Sequence, residues 1–247
     1  MHRAPPRIHR PPTLTTQVQA ALRDDIATGI IAPGERVVVD HIAERLGVSA
    51  TPVREAIAGC VRDGLIVKAP GGRLQVVPLT QDYVHQVFLV RGALEGLASE
   101  LAAPRITDAD IAALRAALEE TGIALTRGDY RPYVATDAQL HGTVCAAAAN
   151  PILTHELDTL QAHVEVIRRY SQRQAGEHMQ CSHSEHVQIV EALATRNPVN
   201  ARQAMEAHIR CSGDRIARLI EFRDHPQSSP RMKGGADERE GGSHGPG

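Results

Sequence analysis

Apolar residues recur at helical spacing along most of this chain, and one short segment departs from that rhythm. Leu14, Val18, Ala21, Leu22 and Ile26 share one face of a helix ending at Gly29. Val39, Ile42, Ala43 and Leu46 predict a second helix. Gly47 then supplies a turn, because only glycine takes positive φ without steric cost. Ser49 or Thr51 can N-cap a third helix, and Pro52 suits its first turn. Val53, Ile57 and Val61, with Ala56 and Cys60, give that helix a buried side, leaving Ser49, Thr51, Arg54 and Glu55 near its exposed N-terminal end. Asp63-Gly64 ends it. Leu65–Lys68 and Leu74–Val77 are apolar runs flanking Ala69-Pro-Gly-Gly-Arg73, which predicts two strands and a tight loop. Helix, turn, helix and β-ribbon form the layout of a winged helix-turn-helix, whose second helix enters the DNA major groove N-terminus first.

Beyond Val77 no strand pattern occurs. Pro78-Leu-Thr80 is a linker with Thr80 as a helix cap. Helices are predicted from about Asp82 to the stop at Pro104, from the capping-box-like Thr107-Asp-Ala-Asp110 to Gly128, from Arg131 to Ala149, and from Ile152 to Tyr170. Ser171–Cys181 is polar and reads as a loop or frayed end. Ser182-His-Ser-Glu185 opens a helix to Arg196, and Asn197-Pro198 restarts the last one, to about Arg223. The fold class is therefore mainly α: an N-terminal winged helix-turn-helix with a small β-ribbon wing, and a C-terminal antiparallel all-helical bundle. Four segments are expected: a flexible arm over 1–12, the winged domain over 13–78, the helical domain over 79–225, and a disordered Gly/Ser/Pro-rich tail over 226–247.

Composition narrows the class. With no Trp, two Phe and four Tyr in 247 residues, the cores must be built from Ala, Leu, Val and Ile. No apolar run approaches the ~20 residues that span a bilayer, and the basic N-terminus lacks an apolar signal region. Four cysteines without paired spacing read as reduced, mostly buried thiols in a cytoplasm. Residues 1–78 hold ten Lys or Arg against seven Asp or Glu, while 79–225 hold fourteen against nineteen. A basic head on an acidic body fits a protein that grips phosphate with one end.

Four residues of the second domain stand out. Asp137 and His141 lie one turn apart on a helix face with Val134, Val144 and Ala148, roughly inward. His186 falls in a stripe with Ile189, Val190 and Leu193, and His208 in one with Met205, Ile209 and Ser212. Three imidazoles and a carboxylate inside a bundle can bind a divalent cation. Such ligands favour zinc, with nickel, iron or manganese also compatible, over magnesium or calcium. The bland alternative is core histidines, since thirteen His place some on apolar faces by chance. A denser set, His178, Cys181, His183 and His186, ranks lower because part of it falls in the expected loop.

Ala32-Pro-Gly-Glu-Arg36, Ile42-Ala-Glu-Arg-Leu-Gly-Val-Ser49, Thr51-Pro-Val-Arg-Glu-Ala56 and Asp63-Gly-Leu-Ile66 together resemble the GntR family of bacterial transcription regulators. The resemblance covers residues 14–78. One departure is Ala50, where the family usually has Arg after the serine of the turn, so a basic contact is missing. Residues 79–225 resemble the effector domain of the FadR subfamily, through Arg91-x-x-Leu-Glu95, Asp137-x-x-x-His141 before the Ala-Ala-Asn150 break, Glu185-His186-x-x-Ile189 and Ala204-Met-x-x-His208. Leu140 replaces the usual Phe before the first His. The resemblance implies that Asp137, His141, His186 and His208 hold the metal, that a small organic carboxylate binds against it, and that the domain dimerises.

The same resemblance implies a cytoplasmic homodimeric regulator, a repressor more readily than an activator, on a near-palindromic operator in double-stranded DNA. Ser49, Thr51 and Arg54 would face the major groove, with Arg36 and Arg45 near phosphates and Gly72 and Arg73 in the wing. Arg91 is the candidate for the effector's anionic end, the alternative being a surface ion pair with Glu95. Three rival readings are a metal sensor with the cation as signal, a purely dimerising body, and a helical metal-dependent hydrolase. No H-E-x-x-H, G-x-S-x-G or phosphate-loop motif supports the hydrolase, so no enzyme activity is expected.

Overall fold

A computed structural model describes residues 12–171 and 175–224. The head comprises α1 (Leu14–Ala27), α2 (Val39–Leu46), α3 (Ala50–Arg62) and an antiparallel ribbon of β1 (Ile66–Lys68) with β2 (Leu74–Val76). Its register pairs Ile66 with Val76 and Lys68 with Leu74, and Arg36 bridges to Gln75 on the outer edge. Gly47 adopts φ 65°, the left-handed cap that ends α2 and turns the chain toward α3. Ser49 occupies the N-cap of α3 without a side-chain capping bond. Leu22, Ile26, Val53, Ala56 and Cys60 close the core where α1 crosses α3.

The second domain is all helix: α4 (Gln81–Ala102), α5 (Asp108–Thr126), α6 (Arg131–Ala148), α7 (Pro151–Ser171), α8 (Ala175–Ala194) and α9 (Pro198–Asp224). Thr80 caps α4 by accepting from the Tyr83 N–H, and Thr107 with Asp110 forms the expected capping box on α5. Asn150 Oδ1 accepts from the Leu153 N–H at the start of α7, behind Ala149 in the left-handed region.

One expected boundary is corrected. Where a loop or frayed end was expected over Ser171–Cys181, Ser171 ends α7 and Ala175–Cys181 forms the first turns of α8, while residues 172–174 lie outside the described residues. Ala, Glu, Met and Gln are good helix formers. Their apolar rhythm is weak because His178 and Met179 line a cavity rather than the core. The arm up to residue 11 and the tail from residue 225 also lie outside the described residues.

Helices α4 and α9 run antiparallel and pack very closely. A Cβ on Gly96 would stand 2.6 Å from Glu206 Cγ, and one on Gly213 would stand 2.7 Å from Phe88 Cβ. These glycines set the helix separation. Helix α7 packs on both domains: Val164 and Ile167 belong to the bundle core, whereas Val166 is buried in the core of the head.

Gly213→Ala should be destabilising, although alanine is favoured over glycine inside a helix by about 1 kcal/mol. Overpacking against Phe88 costs about 1–3 kcal/mol, and the Phe88 Cβ cannot swing away. A thermal melt should show a lower Tm, and an unchanged or raised Tm would mean that α4 and α9 can separate without penalty.

Candidate metal centre and nucleic-acid interface

Four helices deliver the cluster. Asp137 and His141 come from α6, His186 from α8 and His208 from α9, and one ligand atom from each lies within 4.8 Å of all the others. Asp137 Oδ1 is 3.6 Å from His141 Nε2 and 3.5 Å from His186 Nε2, and His186 Nε2 is 3.2 Å from His208 Nε2. Asp137, His186 and His208 are buried, and His141 nearly so.

A second layer orients these ligands. His141 Nδ1 donates to Glu95 Oε2, and Glu95 Oε1 accepts from Arg91 Nε at 2.5 Å. His208 Nδ1 donates to Glu185 Oε2 at 2.8 Å, and Arg215 holds Glu185 in a fork while also donating to Ser182 Oγ. Arg168 from α7 grips Asp137 Oδ2, leaving Oδ1 toward the imidazoles. The Tyr133 ring lies nearly parallel to His186, with centroids 5.7 Å apart.

Carboxylates only accept, so each Nδ1 that donates leaves its Nε2 lone pair facing the cluster. His141 Nε2 is buried and has no hydrogen-bond partner among the described residues. An orphaned nitrogen of this kind is costly unless something fills the centre. The donor set therefore fits a divalent cation.

The electrostatics agree. Burial pushes His186 well below the ordinary histidine range, helped by His208 and His141. Burial likewise lowers His208 against the pull of Glu185. Burial would raise the Asp137 carboxyl, but His141 and Arg168 outweigh it and hold it well below its usual range. Burial also opposes ionisation of Glu185, yet Arg215 and His208 bring it down to about 2. Burial lowers His141, but Glu95 and Asp137 outweigh it and raise its imidazole above its ordinary value. His186, His208 and Asp137 already hold the states a cation requires, and a cation at the centre would displace the proton from His141.

Two cavities adjoin the cluster. One of about 100 Å³ is lined by Phe88, Tyr133, Met179, Ser182 and Arg215. Another of about 230 Å³ is lined by Glu95, His141, Leu157 and Gln161. Both share Arg91, Asp137 and Arg168. Arg91 does pair with Glu95, but the pair is buried beside the cavities and not on the helix surface. Val134, expected to point inward, is 49% exposed at the first cavity. The denser His/Cys set does not assemble: His183 Nε2 donates to the Leu118 carbonyl, and Cys181 is exposed. Arg168 and Arg215, beside the cluster, were not among the residues singled out from the sequence. Arg215 had a signal, two turns beyond His208 on the same helix. Arg168 had none, because its role depends on how α7 packs.

On the head, Arg36, Ser49, Thr51, Arg54, Gly72 and Arg73 are all exposed. Arg45 has an internal partner. Its guanidinium holds both oxygens of the buried Asp25, tying α2 to α1. Its primary structural role is to brace the head.

A winged helix-turn-helix joined to a helical domain with a buried ligand-ready centre defines a DNA-binding transcription regulator with an effector domain. The chain belongs to the gntR family of bacterial regulatory proteins: residues 14–76 match that family, and residues 86–210 match the FCD domain. It is 29% identical over 148 residues to the HTH-type transcriptional regulator McbR of Escherichia coli K12, covering 60% of this chain and 67% of McbR. It is 26% identical over 196 residues to the HTH-type transcriptional repressor RspR of the same strain, covering 78% of this chain and 84% of RspR. The solved structure of E. coli McbR/YncC superposes with a TM-score of 0.62 at 24% identity, covering 86% of this chain and 99% of that one, which shows the shared fold. These relatives are named as regulators, not enzymes. No helix among the described residues is long and apolar enough to cross a membrane.

Arg45→Met should lower stability, because Asp25 is left buried and unpaired. Breaking a fully buried pair costs about 3–5 kcal/mol, and the partial exposure of Arg45 reduces this to roughly 1–3 kcal/mol. Arg54→Ala, at an exposed position, should leave the denaturant midpoint unchanged. Equal midpoints for both variants would remove the bracing role.

Proposed function

We propose that this chain is a homodimeric, cytoplasmic repressor of the FadR subfamily, controlled by a small organic carboxylate that binds against a divalent metal ion. Asp137, His141, His186 and His208 would hold the ion, zinc being the best match to three imidazoles and one carboxylate. The observation that carries the reading is the buried, unpartnered His141 Nε2 within a cluster already oriented by Glu95, Glu185 and Arg168. The bound cation would supply a Lewis-acidic centre on which a carboxylate oxygen can sit. Arg91, buried at the edge of both cavities, supplies a fork for the same anion.

At the other end, Ser49, Thr51 and Arg54 at the start of α3 would meet base edges in the major groove. Arg36 and the Gly72-Arg73 wing tip would approach the backbone, with the outward edge of Arg45 toward phosphate. Two heads on a dimer imply a near-palindromic operator. Leu89, 76% exposed, and its neighbour Val90 on α4 offer an apolar strip to the second subunit. A ligand changes operator affinity only through differential affinity for two arrangements of the heads. Four protein ligands could also complete a tetrahedral shell, which favours a second reading in which the cation is itself the signal.

A thermal-shift series separates these readings. A ligand at ~100 times its Kd adds roughly 2.7 kcal/mol, or about 5–10 °C of Tm for a chain of this size. A shift that requires zinc and a small carboxylate together, and disappears in His141→Ala, supports the metal-gated pocket. A shift from zinc alone supports the metal sensor, and no shift with either sinks both. In a salt-controlled titration of the operator, Arg54→Ala should weaken binding by about tenfold or more, as loss of one good base contact does. Unchanged affinity would remove Arg54 from the contact set.

A further inference from the structure

We infer that Arg168 is the positioning residue that couples the metal centre to the DNA-binding head, by exchanging its partner when the centre fills. This rests on the reading of the cluster as a divalent-cation site.

Helix α7 belongs to two cores at once. Val164 and Ile167 pack in the bundle, and Val166 is buried in the head. The bundle-facing side ends in Arg168, whose guanidinium holds Asp137 Oδ2 and lines both cavities. The head-facing side carries His163. Its Nε2 donates to the main-chain carbonyl of Asp63 at 2.7 Å, and its Nδ1 accepts from the Tyr83 hydroxyl at 2.5 Å. Asp63 is the C-cap of α3, the helix offered to DNA. Its carboxylate also accepts from Gln19 and Arg23 of α1. One residue thus joins α1, α3 and α7, and Gly64 leaves room for the His163 ring, 3.4 Å from where a Cβ would stand.

The field at Arg168 depends on what the cluster holds. Without a cation, the ionised Asp137 attracts it. With a divalent cation on Oδ1, the cation and carboxylate together carry net positive charge, and attraction turns to repulsion. The hold of Arg168 on Asp137 then weakens, and the guanidinium turns toward an anion entering either shared cavity. The side chain sits five residues along the same helix from His163, so a shift of α7 that follows Arg168 also strains the contact with Asp63. Close packing on both faces makes α7 move as a body. This assigns Arg168, beyond Arg91, as a residue that meets the effector's charge.

The test uses the full chain with zinc alone. Calorimetry reads binding at the cluster, and hydrogen exchange reads the amides of Asp63–Leu65, which close the end of α3. In wild type, zinc should bind and speed exchange there roughly fivefold, the factor carried by one weakened hydrogen bond. Arg168→Met, which loses a support of Asp137, should bind zinc with altered affinity, and at zinc concentrations that saturate its own isotherm its α3 amides should no longer respond, while Arg168→Lys should restore part of the response. His163→Phe should bind zinc as wild type does, with those amides fast in both states. Zinc binding with unchanged α3 exchange in wild type, or a full response in Arg168→Met, overturns the coupling and leaves the metal centre standing. Absence of zinc binding in wild type removes the metal centre and this inference together.

Discussion

A charge taken out of water has to be paired, and that constraint organises the second domain. Three carboxylates sit around the cluster, and each has its own arginine: Glu95 with Arg91, Asp137 with Arg168, and Glu185 with Arg215. The acids therefore stay ionised despite burial. Each then has an oxygen left for a histidine or for the centre. Removing Arg91 or Arg168 would strand the buried charge of Glu95 or Asp137, a loss of about 3–5 kcal/mol where burial is complete. Arg168 ties α7 to α6 and Arg215 ties α9 to α8, while the Arg91–Glu95 pair lies within α4 and reaches α6 through His141.

Close approach of α4 and α9 makes this arrangement possible. Gly96 and Gly213 remove side chains where the helices touch. The pair can then present Arg91 and Glu95 opposite His208 and Arg215, with one ligand of the cluster on α9 and the support of another on α4. The scarcity of aromatic residues fits the same picture, because small and branched side chains permit short distances between helices.

The two domains are joined by shared packing as well as by the linker. Val166 fills part of the head's core, and His163 fastens α7 to the end of α3. A helix buried on two sides has little freedom to move piecemeal, so a change at one face is felt at the other. In the head, Asp25 and Arg45 hold α1 and α2 together in the same paired-charge manner. The exposed side chains of α3 are thereby offered from a rigid support.

Much of this was legible in the chain itself. The helix-turn-helix rhythm, the Gly47 turn, the caps at Thr80 and Thr107, and the grouping of Asp137 with His141 follow from local rules, because periodicity and capping act within a few residues. The first turns of α8 were missed because His178 and Met179 face a cavity, where the apolar rhythm used to recognise helices is absent. For Arg91 the sequence offered a role toward the effector or a surface pair with Glu95, and only packing decided that the pair forms and is buried. Which side chains surround His141, that Arg168 reaches Asp137, and that His163 touches Asp63 a hundred residues away were decided only by tertiary packing. These relations join residues far apart in sequence, and the distance between such groups is a property of how helices pack, which no local pattern encodes.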